Sequence, residues 1–169
     1  TLLCLNNLAS AYGKVGDYKK SLELNEMAYG IYIRIFGEEH SNTLIALNNL
    51  SVAYSENRDY KKSLELSEMA YTLCRKVFGE EHPNTLISLN NLASSYESIG
   101  NYVKSLELFK KAYISYCRIL GEEHPDTLSS LNALACIYMS IGDYEKSLEL
   151  NEKVYTLCKK ILGEEHYLT

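Results

Sequence analysis

The chain repeats itself every 42 residues. Rows begin at Thr1, Thr43, Thr85 and Thr127, and each opens with TLxxLNxL, as in TLIALNNL and TLSSLNAL. SLEL follows, preceded by a Tyr-x-Lys triplet (YKKSLEL, YVKSLEL, YEKSLEL), and GEEH recurs at 37–40, 79–82, 121–124 and 163–166. The rows span 1–42, 43–84, 85–126 and 127–168, and Thr169 opens a fifth. One unit must therefore occur four times in a single repeat domain and bury its apolar face against copies of itself.

The pattern inside a row names the unit. Columns 2, 5, 8, 9 and 12 carry Leu, Leu, Leu, a small residue and Tyr, which in the first row are Leu2, Leu5, Leu8, Ala9 and Tyr12. At one residue per 100° they form a stripe about 120° wide, the signature of an amphipathic helix. Gly16, Gly100 and Gly142 close this first helix with a residue tolerant of positive φ. The second row has Asn57-Arg58 there, so either Asn57 or Arg58 takes the left-handed conformation. A second apolar periodicity starts at column 18 and ends at Gly37, Gly79, Gly121 and Gly163, which predicts a second helix of about 19 residues. No strand pattern occurs. Helix, turn, helix, turn is an all-α solenoid of four helix pairs.

These columns resemble the tetratricopeptide repeat. The residues that carry the likeness are LNNLASAYGKVGDY in the first row, VFGEEHPNTLISLNNLA across the second junction and ILGEEHPDTLSSLNALA across the third. The 42-residue form is similar to the repeats of kinesin light chains. Relative to the 34-residue pattern, eight residues are added after Ala28, which lengthens the second helix by about two turns, or about 12 Å. The resemblance covers the whole chain and implies a right-handed solenoid that binds peptides or proteins on a concave face lined by the first helices.

Composition removes several functions. Net charge is −5, and no block of Lys or Arg marks a nucleic-acid footprint. No apolar run approaches the ~20 residues that span a bilayer. The five cysteines are odd in number and contain no CxxC pair, which points to a reducing, cytoplasmic setting. Twelve of the 15 tyrosines fall in columns 12, 18 and 29, all expected on packing faces.

GEEH invites a metal or acid–base reading, since it places two carboxylates beside a histidine. Geometry argues otherwise. Zinc holds a histidine nitrogen at about 2 Å, whereas neighbouring helices lie about 8–10 Å apart. Successive histidines therefore cannot share an ion. Glycine ends one helix, histidine caps or packs the turn, and Pro83 and Pro125 suit the first position of the next. We expect no catalytic residue, metal or cofactor, and a non-catalytic scaffold.

Candidate binding residues lie on the first helices. Column 6 reads Asn6, Asn48, Asn90 and Asn132; column 7 reads Asn7, Asn49, Asn91 and then Ala133. An amide both donates and accepts, so a ladder of amides can hold an extended backbone of any sequence. The resemblance implies that role for all seven asparagines. The residues alone leave column 6 equally able to bond a neighbouring helix, the reading we favour there, and leave column 7 open. Columns 3, 7, 10 and 14 point away from the leucine stripe and contain only two charges, Lys14 and Glu56. The basic clamp that holds acidic peptides in related domains is absent, so a ligand that is not strongly charged is expected. Leu3, Ile45 and Ile87 have two readings: apolar groove contacts, or side chains buried against the adjacent first helix, of which burial is favoured. No polar terminal repeat is visible, and the segment reads as part of a longer array. Partly open Leu150, Val154, Leu157 and Ile161 then suggest association with a second copy. The rival to a binding role is a structural spacer, because near-identical rows set length and curvature without needing a ligand.

Overall fold

The computed structural model describes residues 2–162, excluding the side chains of Leu2, Leu3 and Leu162. The fourth GEEH, Thr169 and the anchor side chain of Leu3 therefore lie outside the described residues. Among the described residues there are eight α-helices and no strand. The first helices of the rows are α1 (Leu2–Lys14), α3 (Ser41–Glu56), α5 (Pro83–Ser98) and α7 (Pro125–Ser140). The second helices are α2 (Tyr18–Phe36), α4 (Tyr60–Phe78), α6 (Tyr102–Leu120) and α8 (Tyr144–Leu162), each 19 residues long.

Local chemistry sets these boundaries. Asp17, Asp59 and Asn101 cap α2, α4 and α6, each side chain accepting from the backbone N–H of the lysine three residues on at 3.1–3.2 Å. In Asp17 that bond to the Lys20 N–H holds the carboxyl below its ordinary range. At the far end, Gly37, Gly79 and Gly121 take φ of 83°, 87° and 86°, a region other residues enter only with strain. Their N–H groups bond Ile33, Arg75 and Cys117 carbonyls at 2.9–3.0 Å. In the second row it is Arg58 that turns left-handed, with φ of 66°, while Asn57 keeps φ of −79°.

The helices begin two residues before each row opens, because histidine is the cap. His40, His82 and His124 present Nδ1 to the N–H of Asn42, Asn84 and Asp126 at 3.1–3.2 Å. Pro83 and Pro125 then occupy the first helical positions. The His40 and His82 rings also stack on Phe36 and Phe78, with centroids 4.6 and 4.5 Å apart. Three of the four GEEH stretches are thus joints between helices.

The chain divides into two compact units, Thr1–Ile99 and Gly100–Thr169. In the first, α1 packs on α2, α2 on α3, α3 on α4 and α4 on α5, while α3 also adjoins α1 on one side and α5 on the other. In the second, α6 packs on α7 and α7 on α8. The core of the first unit is the expected leucine stripe: Leu44, Leu47, Leu86 and Leu89 are at most 2% exposed. Ala28 and Ala70 are fully buried, and their small side chains let the long second helices close on their neighbours. Ala28 and Tyr32 of α2 pack on Ala46 of α3; Leu66 and Ala70 of α4 pack on Leu47 and Leu50 of α3.

One expectation about tyrosine is overturned. In columns 12 and 29, Tyr29 and Tyr54 pack against buried clusters, whereas Tyr155 of column 29 is 58% exposed. Column 18 is open in every row: Tyr18, Tyr60, Tyr102 and Tyr144 are 38–70% exposed. Each is the first residue of its helix, where the side chain leans back over the turn and beyond the packed layer.

Candidate functional site

The exposed side of the first helices is made by the predicted columns. In α3 it consists of Ile45, Asn49, Val52 and Glu56; in α5, of Ile87, Ser94 and Ser98 with half-buried Asn91; in α7, of Ser129, Cys136 and Ser140. In the first unit this side is hollowed. A groove of about 450 Å³ runs between α1 and α3, bordered by Asn6, Asn7, Ser10 and Lys14 on one side and Asn49, Val52 and Glu56 on the other. Its floor comes from α2, through Tyr18, Ser21 and Asn25. A second hollow of about 250 Å³ continues between α3 and α5, with Asn91 and Ser94 on its far wall and Ser63 of α4 beneath. Val52 and Glu56 line both hollows, so they form one path across three successive first helices.

The asparagines divide into distinct groups. Asn48 is 6% exposed and committed: its amide nitrogen donates to Ser88 Oγ at 2.8 Å and to the Leu44 carbonyl at 3.1 Å. Its amide oxygen accepts from Asn91 Nδ2 at 3.3 Å. Ser88 in turn lies 3.2 Å from the sulfur of Cys74, a thiol that burial pushes up in pKa. Asn48 is therefore a tie between α3 and α5, and it steadies Asn91 from behind. Asn7 and Asn49 are exposed on opposite sides of the larger groove. Asn6 is half-buried in its wall, and its Oδ1 is buried without a hydrogen-bond partner. Asn90 is half-buried with the same kind of orphaned oxygen, and Asn132 is exposed on α7.

The apolar anchors behave differently from expectation. Ile45 and Ile87 are 41% and 47% exposed, so they are not buried against the next first helix. The contact between α3 and α5 is made one position further round the helix, where Asn48 meets Ser88. Neither isoleucine lines the groove. Sequence reasoning overlooked the floor. Ser21 is 2% and Asn25 7% exposed, with Asn25 Nδ2 bonded to the Ser21 carbonyl at 2.9 Å. Under the second hollow, Ser63 and Ser67 meet Ser95 at 3.2 and 2.8 Å. The signal was present, since column 21 is serine in every row, a polar residue inside an apolar stripe.

The model of the tetratricopeptide repeat matches residues 1–75, 53–118 and 99–160. The chain belongs to the tetratricopeptide repeat family. Tetratricopeptide repeats are scaffolds that generally mediate protein interaction and are typically non-catalytic. Among solved structures, the chain is 30% identical to the nearly identical TPR-like repeats of a candidate kinesin light chain from Podosopora anserina. That match covers 98% of this chain and 78% of the other, with a TM-score of 0.83. BtubC (BKLC) from P. vanneervenii shares the fold at 20% identity and a TM-score of 0.80, over 96% of this chain and 65% of that one. A Rap protein complexed with Competence and Sporulation Factor does so at 16% identity and a TM-score of 0.76, over 90% and 41%. No curated protein matches the chain. Among the described residues, no helix of this repeat protein is long and apolar enough to cross a membrane.

Proposed function

We propose that this repeat array is a non-catalytic binding scaffold, and that the groove across α1, α3 and α5 holds an extended protein segment of low net charge. The observation that carries this reading is the groove itself, with amides from successive first helices on its walls. Packed helices lie about 8–10 Å apart, and an extended chain rises about 3.3 Å per residue. A segment crossing the groove thus meets a new first helix at about every third residue. Asn7 and Asn49 offer both a donor and an acceptor to its backbone. The orphaned Asn6 oxygen, after a small turn of its amide, accepts an N–H from the segment, which removes a buried unpaired acceptor worth about 1–3 kcal/mol. Asn91 contributes from a fixed position because Asn48 holds it. Asn48 itself serves the site from behind, as a support.

The lining carries a single base, Lys14, and a single acid, Glu56, which fits a ligand without a strong net charge. A pull-down with pooled uncharged peptides, acetylated and amidated, tests the reading. Wild-type protein is expected to retain a subset of the pool, and Asn7→Ala with Asn49→Ala to release it with folding intact by circular dichroism. Retention of no peptide at all would favour the spacer role.

A further inference from the structure

We propose that Glu56 is the specificity residue of the groove, and that the bound segment carries one basic side chain, Lys or Arg, opposite it. The inference rests on the groove reading above and sharpens it.

Glu56 occupies a place where an acid is locally unfavourable. It is the last residue of α3, at the negative end of the helix, and the last turn holds no base to offset it. The corresponding residues of the other first helices are Lys14, Ser98 and Ser140. An acid set against the helix dipole breaks a local rule, and such breaks concentrate where function requires them. Glu97 stands in a similar place in the last turn of α5, but only Glu56 of the two lines the groove. The neighbouring helix makes room for it. Gly13 of α1 stands where the other rows have Ser55, Glu97 and Met139. A Cβ at position 13 would come within 3.2 Å of Glu56 Oε2 and 3.4 Å of Ser21 Oγ. The bare Gly13 backbone therefore lets the carboxylate lean across the gap between α3 and α1, over the floor of the larger groove.

The surroundings suit a cation on a side chain. Glu56 forms no ion pair among the described residues, so its carboxylate is available. Ser21 borders the same Gly13 position and lines the same groove, as does Tyr18, 43% exposed. Carboxylate, hydroxyl and aromatic ring together match an ammonium or guanidinium group. The titratable groups lining the two hollows are Lys14, Tyr18 and Glu56. Lys14 disfavours a run of positive charge, so the segment has one base and is not polybasic. Because Glu56 borders both hollows, that base lies midway along the bound segment.

Three labelled nonapeptide pools test this, acetylated and amidated, built from Ala, Ser, Val, Asn and Gln, with the central residue fixed as Arg, Gln or Glu. Fluorescence anisotropy against the full chain reads affinity. The Arg pool should bind about threefold to fivefold more tightly than the Gln pool, the range for a partly exposed ion pair, and the Glu pool more weakly than either. Glu56→Gln should level the Arg and Gln pools, and Glu56→Lys should invert the order. Retention of the Arg preference by Glu56→Lys would overturn the assignment. So would equal binding of the three pools by wild type, and if Asn49→Ala still weakened the Gln pool, the groove reading would stand without it. If no pool binds wild-type protein, both fall.

Discussion

Residues with the same letter and the same column meet different partners, and those partners decide what each does. Column 12 shows this. Tyr54 donates to Glu26 at 2.5 Å and Tyr96 to Glu68 at 2.6 Å, each reaching back to the preceding row. In the next row the equivalent of Glu26 is Lys110, and the contact becomes a cation over the Tyr138 ring at 5.4 Å. The carboxylate partners push the Tyr54 and Tyr96 hydroxyls up to about 12, and burial pushes Tyr116 to about 12. These values lie above the ordinary tyrosine value, near 10. The stability these groups contribute is fully present below that value and is lost as pH rises towards 12. Alkaline titration followed by tyrosinate absorbance should show a late fraction, and Tyr54→Phe with Tyr96→Phe should shrink it. An unchanged late fraction in the double variant would contradict the assignment. The asparagines follow the same logic, since Asn48 finds Ser88 whereas Asn6 faces a row whose corresponding residue is Ala46.

At the scale of the helix, the two ends carry most of the information. A glycine stop and a histidine cap lie three residues apart, so one long helix ends and the next begins within a single turn. His82 accepts the Asn84 N–H and stacks on Phe78 at 4.5 Å. His82→Ala should lower stability by about 1 kcal/mol through loss of the cap. His82→Asn should recover part of that, because asparagine caps well but cannot stack. Urea denaturation of the two variants checks the order; equal losses would mean that the ring contact, and not the cap, holds the joint. The 19-residue length of the second helices was legible beforehand, from an unbroken apolar period between column 18 and glycine. Their N-caps at Asp17, Asp59 and Asn101 had an equally plain signal, a residue of capping type just before the period starts.

Across the molecule, contacts within each unit join helices that are close in the chain, as expected where each repeat touches only its neighbours. Disturbance should therefore stay local. Leu47 is 1% exposed, in a cluster with Leu50, Leu66 and Ala70. Leu47→Ala should cost about 2–5 kcal/mol. Hydrogen exchange should accelerate first in α3 and α4, then in α2 and α5, and least in α7 and α8. Uniform acceleration along the chain would instead indicate a single cooperative block. The groove also belongs to this scale: it exists because α1, α3 and α5 stand side by side, and no single helix contains it.

The sequence by itself determined the period, the helix pair, the glycine and histidine joints and the family, because these rest on local propensities repeated four times in register. It also set columns 10 and 14 opposite the leucine stripe, and these are exposed on all four first helices. Tertiary structure decided the rest. It buried Asn48 and left Asn49 exposed, opened Ile45 and Ile87, and brought Tyr18, Ser21 and Asn25 up as the groove floor. It also laid Glu56 across the backbone of Gly13, 43 positions away in the chain and one helix away in space. A periodic pattern gives the angle at which a side chain leaves its helix. What the side chain meets there depends on the neighbouring row, and in a near-uniform array the few residues that differ between rows decide it.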